Sequence, residues 1–199
     1  MHSQNQEEKY ILEYFSGNTK GKFIEIGGFH PFIFSNTRAL VELGWIGIVV
    51  EPSPKCIVSF RDEYKSNQQI TLIEAAVTDK DGVIYFYEEG HGHAVGSIDV
   101  AHKEKWEADP NFNFNKIQVK SISMSNLLRF YGNNVDFISI DVEGTNYELF
   151  KLIPDSFFER LKCICIEHDN YNKEIIEKLT PFGFKEVYFN GENIIMVKK

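Results

Sequence analysis

The fold is decided by one stretch, residues 22–54, which reads KFIEIGGFHPFIFSNTRALVELGWIGIVVEPSP. The apolar run at residues 23–26 ends at Gly27 and Gly28, which predicts a strand and a tight turn that can approach a ligand closely. A short amphipathic helix is predicted next. The second apolar run, residues 45–50, shows no polar alternation and predicts a strand covered on both faces. This order of elements predicts half of a nucleotide-binding α/β sheet.

An acidic residue stands near the end of each predicted strand, Glu25 in the first and Glu51 after the second. A carboxylate roughly 20–25 residues beyond a glycine turn can accept hydrogen bonds from two ribose hydroxyls. The turn lacks the spaced glycines of G-x-G-x-x-G, and Glu25 would place a negative charge beside a pyrophosphate. The same carboxylate suits the cationic amino-acid end of S-adenosylmethionine, so the sequence favours this ligand over NAD.

Length and composition indicate one domain, residues 1–199, with an inserted hairpin or loop region at about 83–120. A formal net charge of −8 and the absence of a basic run argue against nucleic acid as a partner. No apolar stretch is longer than a strand, so we expect no membrane span and a soluble, cytoplasmic protein.

Further strands are predicted at residues 70–75, 135–140 and 162–166, and the chain ends in two apolar runs separated by Asn190 and Gly191. Asn-Gly between apolar runs is a strong signal for an antiparallel hairpin. The sequence therefore predicts an α/β fold with a Rossmann-like, mostly parallel sheet and a C-terminal antiparallel hairpin.

Four short motifs occur in order: an acidic-x-Gly turn, Ser-Asn-Thr, Gly-Trp-x-Gly and Glu-Pro-x-Pro, at residues 25–27, 35–37, 44–47 and 51–54. With them the chain resembles the FkbM-type S-adenosylmethionine-dependent methyltransferases over about residues 22–168. The stretches 75–77 and 139–144 look like later signatures of that family, and Pro31 stands where the family usually has glycine. The resemblance implies a class I methyltransferase fold and O-methylation of a hydroxyl on a sugar, a glycan or a related small molecule.

The cofactor contacts predicted from the strand ends and from the resemblance share a position at one edge of the sheet. They are Glu25, Gly27, Gly28, Ser35, Asn36, Thr37, Glu51, Pro52, Ser53, Ala75, Ala76, Asp141 and Glu143. In the family the residues after the third strand flank the adenine, which implies this role for Ala75 and Ala76; alternatively, the two alanines only end a buried strand.

The predicted catalytic residues are Asp141, Glu167 and His168, which follow the fourth and fifth strands. Methyl transfer to a hydroxyl requires alignment of donor and acceptor and removal of the acceptor proton. The same three residues could hold a divalent cation, Mg²⁺ or Mn²⁺, that lowers the pKa of the acceptor hydroxyl. Metal-free base catalysis is the alternative.

A glycine-rich loop containing His91 and His93 could close over the acceptor, or it could be an exposed surface loop. Trp106, Phe112 and Phe114 could form an aromatic wall for a sugar ring, or they could simply cap the core.

Two other functions remain open at this point. One is an NAD-dependent sugar oxidoreductase, for which Tyr147 and Lys151 would lie one helical turn apart. The other is a non-catalytic, glycan-binding module on the same fold.

Overall fold

The computed structural model describes residues 1–16 and 20–199, and these residues form an α/β fold with helices on both faces of a central sheet. The strands are β1 Lys22–Ile26, β2 Ile46–Val50, β3 Ile70–Ile73, β4 Ala76–Thr78, β5 Gly82–Glu89, β6 Phe114–Ser123, β7 Phe137–Ile140, β8 Cys163–Glu167, β9 Phe184–Phe189 and β10 Asn193–Lys198. The helices are α1 Glu7–Phe15, α2 Arg38–Glu42, α3 Pro54–Tyr64, α4 Val100–Glu107, α5 Met124–Tyr131, α6 Asn146–Lys151, α7 Asp155–Phe158 and α8 Asn172–Leu179, with a 3₁₀ helix at Thr180–Phe182.

The main sheet has the strand order β3-β2-β1-β7-β8-β10-β9. Its first five strands are parallel, whereas β10 runs antiparallel to β8 and β9 antiparallel to β10. The order in which strands are added to the sheet reverses at β1. Strands β2 and β3 lie on one side of β1, and β7 and the later strands lie on the other side. The predicted mostly parallel sheet with a C-terminal antiparallel hairpin is confirmed.

Each face of the sheet carries its own hydrophobic core. Helices α5, α6, α7 and α8 pack on one face, where Ile24, Ile138 and Ile164 are buried. Helices α1, α2 and α3 pack on the other face, where Phe23, Phe137 and Trp45 are buried. Because neighbouring residues of a strand point to opposite faces, apolar runs without polar alternation are what a sheet with two cores requires.

The short helix α2 lies between a hydrogen-bonded turn before it and a glycine after it. Gly44 takes a φ of +84° just after the C-cap Leu43, in the left-handed conformation that glycine readily adopts at the end of a helix. The N-cap is Thr37, whose side chain makes no capping hydrogen bond. The Ser35 hydroxyl oxygen instead accepts hydrogen bonds from the N–H groups of Thr37 and Arg38, at 3.3 and 3.0 Å.

The inserted region forms a second, three-stranded sheet in the order β4-β6-β5. Residues 97–98 make only a single bridge, between Tyr87 and Ser97. Helix α4 lies in the same inserted region and is N-capped by Asp99, whose side chain accepts a hydrogen bond from the Ala101 N–H. Its helical pattern was missed because no residue of α4 is fully buried, so the sequence carries no apolar stripe.

Within the described parts of the chain, no helix has the length and apolar character that crossing a membrane requires.

Candidate active site

The ends of β1, β2 and β7 are joined at Gly27. Its N–H donates to the Val50 carbonyl at 2.9 Å, and the Asp141 N–H donates to the Ile26 carbonyl at 2.9 Å. Gly27 has a φ of +84°, and a Cβ built on it would stand 1.7 Å from the Asp141 carbonyl oxygen. Only glycine therefore lets the turn lie against β7 at this point.

Glu51 follows β2 and is buried beside this turn. Its Oε2 accepts a hydrogen bond from the Phe29 N–H at 2.9 Å, and its Oε1 accepts one from the Ser53 N–H at 2.7 Å. Burial raises the pKa of Glu51 to about 7, and these backbone hydrogen bonds oppose that rise. The two bonds hold the carboxylate at the carboxyl edge of the sheet, in the position predicted for a ribose contact.

Glu88 and Glu89, at the end of β5, were missed by sequence reasoning. Glu88 accepts a hydrogen bond from the Ser53 hydroxyl at 2.6 Å. Glu89 accepts hydrogen bonds from the N–H groups of His91 and His93, at 2.7 and 2.9 Å, so it orders the start of the glycine-rich loop. The sequence offers no motif for either residue, because they belong to the inserted sheet.

An inner cavity lies between the main sheet and the inserted sheet. Eight of the predicted cofactor contacts line it: Gly27, Glu51, Pro52, Ser53, Ala75, Ala76, Asp141 and Glu143. Phe86 and Glu88 of β5 line the opposite side. The cavity thus combines a buried carboxylate at the end of β2 with a small, apolar surface after β3.

The other five predicted contacts, Glu25, Gly28, Ser35, Asn36 and Thr37, lie outside this lining. Glu25 faces α2, where it is hydrogen-bonded by the Thr37 side chain, and burial raises its pKa to about 8. The Asn36 amide donates to the Ser139 hydroxyl at 3.3 Å. These positions place the five residues underneath the turn, where they support its shape; direct contact with a cofactor stays a prediction.

An outer cleft adjoins the inner cavity, and Asp141 and Glu143 line both. Within the described residues, no protein group donates a hydrogen bond to the Asp141 carboxylate. Burial, followed by the charges of Glu192, Glu7 and Asp169, raises the pKa of Asp141 to about 6. Asp141 is therefore a carboxylate at the junction of two cavities, held by its backbone and open to a ligand.

Glu143 stands beside Asp141 in an unusual backbone conformation, with a φ of +60°. Its Oε2 lies 3.3 Å from Nε2 of His102, a residue of α4. Burial and the neighbouring Asp141 raise the pKa of Glu143 to about 9. A carboxyl group with this pKa is protonated at neutral pH and can donate a hydrogen bond.

Asn146, the first residue of α6, was also missed, and it organises the floor of the outer cleft. Its Oδ1 accepts a hydrogen bond from the Val142 N–H at 2.7 Å, and its Nδ2 donates to Glu167 at 2.6 Å and to Asp169 at 3.2 Å. Burial and the charge of Asp141 raise the pKa of Glu167 to about 8. One fully buried amide thus fixes the loop after β7 against the loop after β8.

His168 is turned towards the C-terminal hairpin. Its Nδ1 accepts a hydrogen bond from the Asn170 N–H at 3.0 Å, and its Nε2 lies 3.3 Å from the Asn190 carbonyl oxygen. The ring stacks on Phe189 with 5.2 Å between centroids. Both nitrogens are engaged by the backbone, so His168 is placed to support the strand end and has no nitrogen left for a proton transfer or a metal.

The divalent cation predicted at Asp141, Glu167 and His168 is not supported by this geometry. In the residues that the structure describes, no three His, Cys, Asp or Glu side chains form a group that could hold a metal ion. The engagement of both His168 nitrogens gives the physical reason.

Aromatic side chains form one wall of the outer cleft. Trp106 and Phe112 pack with 4.7 Å between ring centroids, and His93 lies 4.8 Å from Phe112. Phe114, predicted as a third member, begins β6 and does not line the cleft. Of the two loop histidines, His93 lines both cavities and His91 lines neither.

A family model described as the methyltransferase FkbM domain matches residues 21–186. The chain belongs to the FkbM methyltransferase family. No curated protein matches its sequence. The fold of this FkbM domain is similar to the METTL16 methyltransferase domain, with a TM-score of 0.52, 13% identity, and coverage of 96% of this chain and 65% of the METTL16 chain. It is also similar to the methyltransferase FkbM from Methylobacillus flagellatus KT, with a TM-score of 0.52, 9% identity, and coverage of 90% and 44% of the two chains.

These likenesses show the fold, and the family match shows a methyltransferase family that uses S-adenosylmethionine. Tyr147 and Lys151, whose spacing suggested an oxidoreductase, lie outside both cavities of this FkbM domain. Tyr147 stacks on Tyr171 at 4.2 Å, and Lys151 pairs with Glu148 at 2.7 Å.

Proposed function

We propose that this FkbM domain is an S-adenosylmethionine-dependent O-methyltransferase that acts on a hydroxyl of a sugar, a glycan or a related small molecule. The observation that carries this proposal is the position of Asp141, whose carboxylate lines both the inner cavity and the outer cleft. A group at that junction can contact a methyl donor on one side and an acceptor on the other.

The inner cavity suits S-adenosylmethionine in three respects. Glu51 is a buried carboxylate that can accept hydrogen bonds from the two ribose hydroxyls. Ala75 and Ala76 are small enough for a flat base to pack against. Asp141 supplies negative charge for the cationic end, and the protonated Glu143 beside it can donate a hydrogen bond. When bound, the cofactor supplies an electrophilic methyl group on a sulfonium.

Asp141 is the general base in this proposal. Its raised pKa strengthens it as a proton acceptor relative to an exposed aspartate, while it remains mostly ionised at neutral pH. Glu167, fixed by Asn146, orients the acceptor, and His168 holds the end of β8 against the hairpin. This assignment uses metal-free base catalysis.

The experiment is a calorimetric titration with S-adenosylhomocysteine beside NAD, followed by mass spectrometry of hydroxyl compounds incubated with S-adenosylmethionine. We expect S-adenosylhomocysteine to bind and an acceptor to gain one methyl mass. Glu51→Gln should weaken S-adenosylhomocysteine binding by about 1–3 kcal/mol, because a carboxylate that accepts ribose hydrogen bonds is replaced by an amide.

Asp141→Asn should lower the turnover rate by roughly 10²–10⁴-fold, the usual contribution of a general base. Glu186→Gln, an exposed position on β9 far from both cavities, is the control and should change neither quantity. Binding of NAD in place of S-adenosylhomocysteine would favour the oxidoreductase. Binding without any methyl transfer would favour the non-catalytic module.

A further inference from the structure

The outer cleft carries more acidic side chains than the methyl donor explains. Among the described residues that line it, the acidic ones are Asp99, Asp141, Glu143, Glu167, Asp169 and Glu192. Asp141 and Glu143 also line the inner cavity and can face the cationic cofactor, but the other four line the cleft alone. Lys105 is the one lysine or arginine in the same lining. Four acidic side chains are thus left for a ligand other than the cofactor.

No lysine or arginine in the described chain forms an ion pair with any of the six acidic side chains, and the one contact from a basic residue is that of His102 with Glu143. Burial lowers the pKa of His102, so its ring is neutral at pH 7. The hydrogen bonds to Glu167 and Asp169 come from Asn146 and from the Tyr147 N–H, which carry no charge. The floor of the cleft is therefore a group of crowded carboxyl groups. Burial and neighbouring charges raise the pKa of Glu143 to about 9 and that of Glu167 to about 8, so both hold protons at pH 7 in the empty cleft, and a bound cation would favour their ionised form.

A second observation also calls for a hydrogen-bond donor in this cleft. Asn193 lines the cleft with only 4% of its surface exposed, and its Oδ1 has no partner. The amide is fixed at its other end, because Nδ2 donates to Glu7 at 3.1 Å. Buried polar atoms in folded proteins nearly always have a partner, so this oxygen is an unused acceptor among the residues that line the cleft.

The aromatic wall contains a hydrogen-bond donor that lacks an acceptor. The indole Nε1 of Trp106 is buried without a partner, and it can only donate. A hydroxyl or ether oxygen of the acceptor would satisfy it, while the faces of Trp106 and Phe112 can pack against the C–H groups of a ring or attract a nearby cation. The cleft thus offers many acceptors at its floor and a donor beside an apolar wall.

We propose that the acceptor is an aminated sugar or cyclitol, with a protonated primary amine bound at the Glu167 and Glu192 side and the methylated hydroxyl at Asp141. An ammonium group has three donors and no acceptor, which matches the floor, and the ring oxygens and C–H faces match the wall. The inference deepens the proposed function and rests on it for the identity of the reaction. The amine takes no part in the transfer: the hydroxyl oxygen forms the bond to the methyl carbon, the sulfonium sulfur leaves with the bonding pair, and Asp141 takes the hydroxyl proton.

The test compares three sugars that differ at one position. Glucosamine, glucose and N-acetylglucosamine carry an ammonium, a hydroxyl and a neutral amide at the same carbon. Binding is followed by chemical shifts of the ¹⁵N-labelled protein in EDTA at pH 7, with and without S-adenosylhomocysteine. We expect glucosamine to bind about tenfold or more tightly than the other two, because its hydrogen bonds to the carboxylates are charge-assisted.

Two variants locate the effect. Glu192→Gln lies in the exposed hairpin turn, where the change should not affect folding, and it should lower the preference for glucosamine several-fold. Glu167→Gln should lower it further, because this carboxylate lies deeper in the cleft. Glu186→Gln is the matched control on the same hairpin and should leave the preference unchanged.

Equal binding of the three sugars, tighter binding of a neutral one, or no binding of any at saturation would overturn the inference. A preference that appears only when Mg²⁺ replaces EDTA would also overturn it, because the floor would then be recognising a metal ion. S-adenosylhomocysteine is titrated separately, so its failure to bind would count against the proposed function, while the titrations without it would still decide the chemistry of the cleft.

Discussion

Single residues in this domain show which parts of a site a sequence can reveal. Gly27 and Glu51 were predicted from their motifs, and both line the inner cavity. Neighbours of a motif residue are harder to place, because consecutive residues of a strand point to opposite faces. Glu167 and His168 are adjacent in sequence, yet the first faces the cleft floor and the second stacks under Phe189. No sequence pattern marked Asn146. Its importance comes from the hydrogen bonds that join two loops far apart in the chain, and these are visible only in the structure.

Glu25 gives a prediction at this scale. Its ordinary pKa of 4.5 rises to about 8 in the folded protein, where burial is the largest cause. The folded state therefore holds a proton that the unfolded state has lost between these two values. Glu25 contributes full stability below about pH 4.5, and that contribution is lost as the pH rises through about 8.

Glu25→Gln keeps the shape and cannot ionise, so its melting temperature relative to the wild type should increase from about pH 5 to about pH 8 and level off above that pH. The measurement is thermal unfolding across this range without ligand. Glu42→Gln is a useful contrast, because Arg38 lowers the pKa of Glu42 and the stabilising charge is present at high pH. A difference that stays constant with pH at Glu25 would contradict the assigned burial.

At the scale of elements, the sequence predicted regular structure wherever an apolar pattern marks a buried face. Helix α1 spans Glu7–Phe15, where Ile11 and Phe15 are buried, and the C-terminal hairpin forms as its Asn-Gly signal indicates. Helix α4 was not predicted, because it has no buried residue and therefore no apolar pattern. Its residues His102 and Trp106 line the cleft. The acceptor side of the site was thus the least predictable part, since α4, which lines the cleft, lacks the periodic apolar residues from which a helix is predicted.

The turn after β1 provides a prediction with a matched control. Gly27 and Gly183 have nearly the same backbone conformation, with φ values of +84° and +85°. A Cβ at Gly27 would collide with the Asp141 carbonyl, whereas a Cβ at Gly183 would meet nothing within 4 Å. Both alanine variants bear the cost of the left-handed conformation, roughly 1–2 kcal/mol.

Gly27→Ala should lose clearly more stability than Gly183→Ala in urea unfolding, because it must also separate the ends of β1 and β7. It should also weaken S-adenosylhomocysteine binding, while Gly183→Ala should bind it normally. Equal losses in the two variants would show that the contact between the turn and β7 is unimportant.

At the scale of the whole molecule, the C-terminal hairpin joins the two cores. Ile194 belongs to the core under α5, α6, α7 and α8, and its neighbour Ile195 belongs to the core under α1, α2 and α3. The hairpin is therefore an integral part of the folding unit. The sequence could predict its existence, but the partner of each strand depends on packing between segments far apart in the chain.

Ile195→Ala should cost about 2–5 kcal/mol of unfolding free energy, as is usual for a large aliphatic residue removed from a packed core. Ile46, also in the main sheet, is 51% exposed, so Ile46→Ala should cost about 1 kcal/mol or less. Urea unfolding measures both, and a single transition with an unchanged slope would show that the domain unfolds as one unit. A small loss at Ile195 would instead mean that the hairpin packs loosely.

The segment Gly92, His93 and Ala94 lines both the inner cavity and the outer cleft. A ligand in either cavity that orders this segment lowers the entropy cost for a ligand in the other. The two binding steps are then linked, and the factor by which the donor tightens the acceptor must equal the factor by which the acceptor tightens the donor. If both ligands order this one short loop, occupancy of each cavity regulates the other, and the state in which both substrates are present together is favoured.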